Sequence, residues 1–277
     1  MAISRAQMLK ELLPGLNALF GMEYEKYEDE HTMIYETENS DRSFEEEVQL
    51  SGFGQAVVKD EGAAITYDSA QESFTARYNH ETIALGFAIT EEAIEDNLYD
   101  SLSARYTKAL ARAMAYTKQV KAAFPLNNGF TNSFQSGDGV NLFTASGDGV
   151  TGGDGHPLVD GSKNSNRPST AADLNETSLE DAVINIGNFK DQRGLKIAAR
   201  PKRLIVPSAL QFTATRLLES QFRVGTSDND INAISSNGAI PEGYMINHYL
   251  TDTNAFFIIT DVPNGMKHFN RTGMETS

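Results

Sequence analysis

The segment from Thr90 to Ala123 reads TEEAIEDNLYDSLSARYTKALARAMAYTKQVKAA and predicts one long helix. Thr90 is a typical N-cap, Glu91 and Glu92 suit the positive end of the helix dipole, and Pro125 marks the expected end. At 1.5 Å per residue the helix would be about 50 Å long, a spine against which other layers pack. A stripe at helical spacing, without a strict heptad, contains Ile94, Leu98, Leu102, Tyr106, Ala109, Leu110, Ala113, Met114, Thr117 and Val120.

The region before this helix, residues 52–89, contains short β-type runs separated by turn signals. The runs are Gln55–Val58, Ala63–Tyr67, Ser73–Tyr78 and Thr82–Leu85. Their apolar content is too thin to bury a core, and an isolated two-stranded hairpin is marginal in water. We therefore expect a ribbon that projects from the molecule and pairs with something else.

The first fifty residues are predicted to form an arm. A short helix is expected over Ala6–Leu13, ended by Pro14 and Gly15, and an acidic stretch with interspersed aromatic residues follows. Residues 1–100 hold 22 Asp and Glu against six Lys and Arg, a net charge of −16, whereas the rest of the chain is nearly neutral. Such dense like charge disfavours compact folding. Two interpretations stay open: an arm that lies along another surface, and an extension packed on its own domain.

Composition excludes several classes of protein. The net charge is −15, and no basic face of the kind that binds nucleic acid is visible; the small cluster Arg200, Lys202 and Arg203 fits a solvated strand edge better. The absence of cysteine excludes disulfides, thiol catalysis, iron–sulfur clusters and thiolate zinc sites, and suits a reducing cytosol. The sequence contains no stretch of 18 apolar residues that could span a membrane. The N-terminal residues lack the features of a secretory signal peptide.

The remainder of the chain predicts an α+β domain that follows a glycine-rich segment. Residues 132–172 contain Ser-Gly-Asp-Gly-Val twice, at 136–140 and 146–150, and are expected to form an exposed loop or insertion. After it we predict elements in mixed order rather than βαβ repeats. The first is an amphipathic helix whose apolar positions run from Leu179 to Phe189 and which ends near Gly194. It is followed by a strand at Leu204–Val206, a helix at Pro207–Phe222, and strands at Tyr244–Ile246 and Ala255–Thr260.

No catalytic, cofactor or metal site is predicted. The five histidines lack metal-ligand spacing, and the G-x-G-x-x-G formed by Gly147, Gly149 and Gly152 is not followed by a helix. The acid pairs Glu91/Glu92 and Asp228/Asp230 are explained by helix capping and by a polar loop. One cluster among glycines resembles calcium-binding turns but lacks their sustained repeat, which favours a flexible surface loop; it contains Asp138, Asp148, Asp154 and Asp160.

Six segments together carry a resemblance to a known family: Gly52–Gly54, Glu61–Asp68, Gly86–Tyr99, Arg203–Leu210, Pro241–Ile246 and Phe256–Asp261. They are similar to segments of the Mu-like major head subunit family of tailed bacteriophages, whose capsid proteins have the Hong Kong 97-type fold. The resemblance implies an N-arm over residues 1–50, an E-loop over 51–85, and a P-domain with the spine helix over 86–125. It further implies an A-domain over 126–260 that includes the loop 132–172, and a return to the P-domain over 261–277. The family usually continues with a further strand, so we expect this last part to be incomplete.

The function implied by the resemblance is structural, not enzymatic. The chain would assemble in the host cytoplasm as hexamers and pentamers into the icosahedral head of a virion that encloses double-stranded DNA. No cofactor or membrane is implied, and scaffolding, decoration and portal proteins are expected partners. The expected assembly contacts are charged, with the acidic arm meeting a neighbour's spine helix; they are Glu45, Glu46, Glu47, Lys59, Asp60, Glu61, Arg77, Arg105, Lys108 and Arg112.

Three alternatives stay open at this point. An encapsulin-like compartment would share the fold but enclose protein rather than nucleic acid. A calcium-dependent secreted binding module would use the Gly/Asp segment, and chelation would destabilise it. An unrecognised hydrolase is the third.

Overall fold

The computed structural model describes residues 5–88, 90, 99–147, 154–223 and 230–276. The chain divides into two compact units. The first contains residues 1–41, 80–123 and 267–277, and the second contains residues 42–79 and 124–266. Each unit is therefore assembled from segments that are distant in sequence. In the part that the structure describes, no helix is long and apolar enough to cross a bilayer.

The first unit contains two long helices and a small parallel sheet. Helix α1 spans Arg5–Tyr24, a 3-10 turn covers Glu30–Met33, and strand β1 spans Glu36–Asn39. Helix α2 spans Tyr99–Asn128, with residues up to Ala123 in this unit. Strand β9, Lys267–Asn270, pairs with β1 in parallel, Glu36 opposite Lys267. Phe20 and Ile34 are buried, so the arm has its own apolar anchors.

Two of the predicted helix ends are wrong, and both concern proline. Helix α1 continues through Pro14 to Tyr24 instead of ending at residue 13, and α2 continues past Pro125 to Asn128. A proline inside a helix removes one backbone hydrogen bond but does not prevent the following turn. Beyond Pro125 the buried side chain of Leu126 holds that turn in place. The predicted start of α2, with Glu91, Glu92, Ile94 and Leu98, lies outside the described residues.

The side of α2 that is buried also differs from the prediction. Buried positions recur every four residues and are small or polar: Ser103, Thr107, Ala111, Ala115, Gln119 and Ala123. Because four residues exceed one helical turn of 3.6, this stripe winds around the helix. Tyr106, Ala109 and Val120, predicted to face the core, are exposed instead. Small side chains let neighbouring segments approach the helix closely, and this leaves the large side chains on its outside.

The core of the second unit is a three-stranded sheet and the helices on it. The central strand β6, Pro201–Val206, is parallel to β7, Tyr244–Ile246, and antiparallel to β8, Phe257–Thr260. The helices are α3, Glu176–Gly187, α4, Gln211–Glu219, and α5, Ala233–Asn237. The buried cluster contains Leu174, Leu179, Leu204, Val206, Ala214, Ile234 and Ile240. The predicted strands at 204–206 and 244–246 are thus confirmed, and the strand predicted at 255–260 begins two residues later, at Phe257.

The third helix is shorter than predicted. Asn175 caps α3 by accepting a hydrogen bond from the Ser178 backbone, and Ser178 caps in return. The helix ends at Gly187 rather than near Gly194, because the chain turns back and Lys190 pairs with Lys196 across a tight turn. Gly194 lies in that turn with a positive φ of 79°.

The described parts of the glycine-rich segment, residues 132–147 and 154–172, are folded within the second unit, which differs from the prediction of an exposed loop. Strands β4, His156–Pro157, and β5, Lys163–Asn164, form a short antiparallel pair within it. Thr144, Ala145 and Leu158 are buried, and Thr144 accepts a hydrogen bond from the Gly155 backbone. Side-chain hydrogen bonds to the backbone supply the order that apolar residues do not.

Candidate assembly surfaces

The ribbon before α2 pairs two strands that the sequence did not place together. Strand β2, Phe44–Leu50, is antiparallel to β3, Glu72–Asn79, with Glu46 opposite Arg77. The predicted strands at 55–58, 63–67 and 82–85 are wrong, since these residues form no strand. Their side chains are mostly exposed. Because no side of these segments packs against a core, the sequence pattern that predicted strands there does not correspond to a buried face.

The acidic triplet Glu45, Glu46 and Glu47 lies on β2 and has partners within the chain. The guanidinium of Arg77 donates to Glu46 Oε1 at 2.6–2.7 Å and also stacks over the ring of Phe44. The hydroxyl of Tyr78 donates to Glu47 at 3.3 Å, and Arg42 lies 4.0 Å from Glu45. The structure therefore brings Glu46 and Arg77 together as a cross-strand pair, and this reduces the charge that the triplet offers to a neighbour.

Residues 51–71 connect the two strands as a long exposed loop. Lys59, Asp60 and Glu61 lie at a turn in which the Ala63 backbone donates to the Asp60 carbonyl at 3.1 Å. None of these three charged side chains forms an ion pair with another described residue, and all three are exposed. The loop also exposes apolar side chains: Phe53, Val57, Val58, Ile65 and Tyr67, with Val58 93% and Tyr67 91% accessible. A loop that holds valine and tyrosine in water is typical of an interaction surface.

The outer face of α2 is basic and aromatic. Arg105, Lys108 and Arg112 are spaced at i, i+3 and i+7, lie on one side, and are all exposed. Within the described chain none of the three is within ion-pair distance of a carboxylate. Tyr116 and Val120 continue the same stripe, one and two turns beyond Arg112, and both are exposed. This face combines positive charge with apolar area.

A cluster of two histidines lies in the first unit and was not predicted. His31 is only 2% exposed, and its ring centroid lies 4.8 Å from that of His268 in an edge-on arrangement. Gln119 Nε2 lies 3.0 Å from Asp29 Oδ1 and 3.3 Å from His31 Nδ1, and Lys118 donates to Asp29 Oδ2 at 3.0 Å. The cluster joins the segment after α1, helix α2 and strand β9.

Electrostatics keep both imidazoles neutral. Burial lowers the pKa of His31 to about 4, and the positive charge of Lys118 adds to this effect while Asp29 opposes it. Burial also lowers the pKa of His268, again with Lys118 reinforcing and Asp29 opposing. His268 Nδ1 is buried without a hydrogen-bond partner among the described residues. A proton added here would have poor solvation.

The carboxylates of the Gly/Asp segment bind protein donors rather than forming a cation site. Asp138 accepts from Ser136 and from His156, Asp154 pairs with Lys163, and Asp160 accepts from Ser162. Among described residues there is no group of three metal-ligating side chains. Asp148, Gly149, Gly152 and Asp228 lie outside the described residues. Nothing in the described part favours a calcium-dependent module.

A Ser–Asp–His grouping among the described residues of this segment is not arranged for nucleophilic catalysis. Asp138 lies between Ser136 and His156, with His156 Nδ1 at 2.7 Å, so the serine hydroxyl bonds the carboxylate instead of the imidazole. A serine nucleophile needs the imidazole as its base. Burial alone would raise the pKa of Asp138, but the hydrogen bonds from His156 and Ser136 outweigh it and lower that pKa. The grouping fixes the segment.

The basic cluster near Arg203 and several residue groups that were not predicted can be described from the structure. Lys202 and Arg203 on β6 both pair with Glu242, at 3.3 and 2.6 Å, so part of the charge of this basic cluster is balanced locally. The residues that sequence reasoning missed are His31, Gln119 and His268, together with the pair Asp68 and Arg193. The members of each group lie far apart along the chain. Only Asp68 belongs to a segment that the resemblance had singled out.

Comparisons with known proteins identify a family from the sequence and a similar fold among solved structures. A family model described as "Phage capsid protein" matches residues 73–276. None of the curated proteins compared with the chain matches it. The capsid of bacteriophage JBD30 decorated with minor capsid protein trimers is similar in structure, with a TM-score of 0.57 and 15% identity over 81% of this chain and 92% of that one. The JBD30 procapsid is similar too, with a TM-score of 0.56 and 15% identity over 90% and 100% of the two chains.

Proposed function

Because this chain belongs to the phage capsid protein family and is a structural subunit of a phage head, we propose that it forms hexamers and pentamers of an icosahedral shell around double-stranded DNA. The family match over residues 73–276 carries the proposal, and the fold shared with the JBD30 capsid agrees with it. The protein is located in the virion capsid. We further propose that it belongs to the Mu-like subfamily, assembles in the host cytoplasm and has no catalytic role.

The division into capsid domains is also a proposal. We assign residues 1–50 to an N-arm, 51–85 to an E-loop, 86–125 and 261–277 to a P-domain, and 126–260 to an A-domain. The first unit supports this assignment because it groups 80–123 with 267–277, and the sheet of the second unit lies within the proposed A-domain. Pairing of β2 with β3 extends the proposed E-loop ribbon back to Phe44.

The proposed assembly contact places the loop tip of one copy on the outer face of α2 in the next. Asp60 and Glu61 at the tip supply negative charge. The outer face of α2 supplies positive charge from Arg105, Lys108 and Arg112. None of these five side chains forms an ion pair with another described residue of its own chain. Val57 and Val58 of the loop would then cover Tyr116 and Val120. The triplet Glu45–Glu47 and Arg77, on the strands of the ribbon, would lie at the rim of this contact, and Lys59 would lie at the tip beside Asp60 and Glu61.

A charge swap tests the contact. Each exposed ion pair contributes only about 0.2–1 kcal/mol, but in a closed shell the same contact recurs at every subunit. We expect Asp60→Lys/Glu61→Lys and Arg105→Glu/Arg112→Glu each to lower the yield of shells seen by negative-stain electron microscopy and sedimentation. The variant that carries all four changes restores the charge complementarity and is the matched control, with a yield above either parent variant. An unchanged yield in both two-residue variants would contradict the contact.

The contents of the shell distinguish a phage head from an enclosing protein compartment. We propose that shells produced during infection protect double-stranded DNA from nuclease. Shells that instead contain only protein would contradict that part of the proposal. The JBD30 capsid is decorated with minor capsid protein trimers, so we include a decoration protein, besides scaffolding and portal proteins, among the proposed partners.

A further inference from the structure

The base of the exposed loop is closed by one carboxylate. Asp68 Oδ2 accepts a hydrogen bond of 2.7 Å from the Gly54 backbone, and Asp68 Oδ1 accepts one of 2.8 Å from the Ser69 backbone. Just below, the Ser51 backbone donates to the Gln71 carbonyl, and the Gln71 backbone donates to the Ser51 hydroxyl. Residues 54 and 68 are therefore the point at which the two arms of the loop are last tied together.

An arginine from the body of the second unit binds the same carboxylate. Arg193 Nη2 donates to Asp68 Oδ1 at 2.8 Å and to Asp68 Oδ2 at 2.9 Å. The Gly54 backbone also lies near this guanidinium, because a Cβ built on Gly54 would be 3.6 Å from Nη2. Arg193 thus connects the loop base to a segment that is distant in sequence.

Arg193 itself is held in a tight turn. The Asp191 carboxylate accepts hydrogen bonds from the backbones of Arg193 and Leu195, at 2.9 and 2.8 Å. Gly194, with its positive φ, leaves no room for a side chain, since a Cβ there would be 2.4 Å from Asp160 Oδ2. The backbone that carries Arg193 is therefore fixed, and the arginine can serve as a rigid support.

The rest of the loop has little structure of its own. Residues 55–67 are all exposed and contain no strand, and the hydrogen-bonded turn at 60–63 is local to the tip. Its direction must then be set mainly at its base. The hydrogen bonds from Gly54 and Ser69, and then the one from Arg193, lower the pKa of Asp68, so the carboxylate stays charged near neutral pH.

We propose that Asp68 and Arg193 are positioning residues of the assembly loop, which hold residues 55–67 in the direction that a neighbouring subunit meets. The inference rests on the proposed function, because it assumes that this loop makes an assembly contact. Without the pair the loop would still exist, but it would sample many directions and lose entropy when it docks.

Loop mobility in the unassembled chain tests the pair independently of shell formation. The protein has no cysteine, so Ala64→Cys gives a single site for a nitroxide spin label. In the Asp68→Asn and Arg193→Gln backgrounds we expect the mobile fraction of the label to rise severalfold by electron paramagnetic resonance. Arg223→Gln breaks another arginine–carboxylate pair of this unit, with Glu176 at 2.6 Å, and is the matched control with parental mobility. Arg193→Lys keeps the charge but loses the fork geometry, and should lie between parent and Arg193→Gln.

Shell yield measured on the unlabelled variants completes the test. Increased mobility together with a severalfold loss of shells supports the inference. Parental mobility in both Asp68→Asn and Arg193→Gln, or increased mobility with a parental shell yield, would overturn it. Hydrogen exchange in β6 that matches the parent shows that a variant is folded. If a variant is not folded, Arg193→Lys is used in its place in both measurements. If the parent chain forms no shells, the proposed function fails, while the mobility result still decides the role of the pair in loop direction.

Discussion

Acidification from pH 7 to pH 4 should destabilise the first unit through His31. In the folded chain its pKa is about 4, compared with the ordinary value of 6.5, because the ring is buried and Lys118 lies near it. Between these two pH values the unfolded chain binds a proton that the folded chain does not, so stability falls as the pH drops below 6.5. At 1.36 kcal/mol per pH unit, the full loss is about 3 kcal/mol once the pH falls below about 4. His268 shifts in the same direction, whereas Asp29 opposes the effect.

Hydrogen exchange can measure this loss locally. The backbones of Ile34 and Tyr35 both donate to the His31 carbonyl, so their protection reports on the segment that carries His31. After correction for intrinsic exchange rates, the opening free energy of these amides should fall by about 3 kcal/mol in the parent chain between pH 7 and pH 4. In His31→Gln the fall should be much smaller, whatever the offset at pH 7. His248→Gln, which removes an exposed imidazole, is the control. Equal pH dependence in the parent and in His31→Gln would refute the reasoning.

Two packing predictions concern the second unit. Leu204→Ala removes a side chain that is 0% exposed at the centre of the sheet. The change should lower the free energy of unfolding by about 2–5 kcal/mol. A loss under about 1 kcal/mol in chemical denaturation would contradict the central position of β6. Gly129→Ala places a Cβ 2.6 Å from the Pro125 carbonyl oxygen and 2.8 Å from the Phe143 ring, and should cost about 1–3 kcal/mol. Gly265→Ala, which meets no atom within 4 Å and does not replace a glycine of positive φ, is the comparison for the loss of a glycine.

The parts of the fold that the sequence predicted are those in which burial and period agree. Leu204, Ile205 and Val206 form a run that is buried on both sides of the sheet, and such runs are recognisable without alternation. The existence of α2 was also predictable, because a long periodic segment with few breakers has few alternatives. Its buried side was not, because small and polar residues such as Ser103, Ala111 and Gln119 take the inner positions. The large ring of Tyr106, which fits a core position by size, is exposed instead.

The candidate sites were predictable only in part. Arg105, Lys108 and Arg112 were predicted as basic residues of the spine helix that a neighbour's acidic arm would meet, and the structure places them together on an exposed face. Glu46 and Arg77 were both selected as contacts with a neighbour, yet they pair with each other across the ribbon. Strand register decides this pairing, and the sequence did not show that β2 is the partner of β3. The histidine cluster and the Asp68–Arg193 pair depend on the tertiary fold alone.

The pairing of β1 with β9 has a consequence for the order of synthesis. Glu36 pairs with Lys267, so the segment made early must wait for one made near the end of the described chain. Until then β1 is an unpaired strand, and His31 lacks the ring of His268 beside it. The first unit can therefore close only when nearly the whole described chain has left the ribosome. An incomplete chain therefore lacks a completed first unit. In such a chain helix α2 is not held in the position that a shell contact would require.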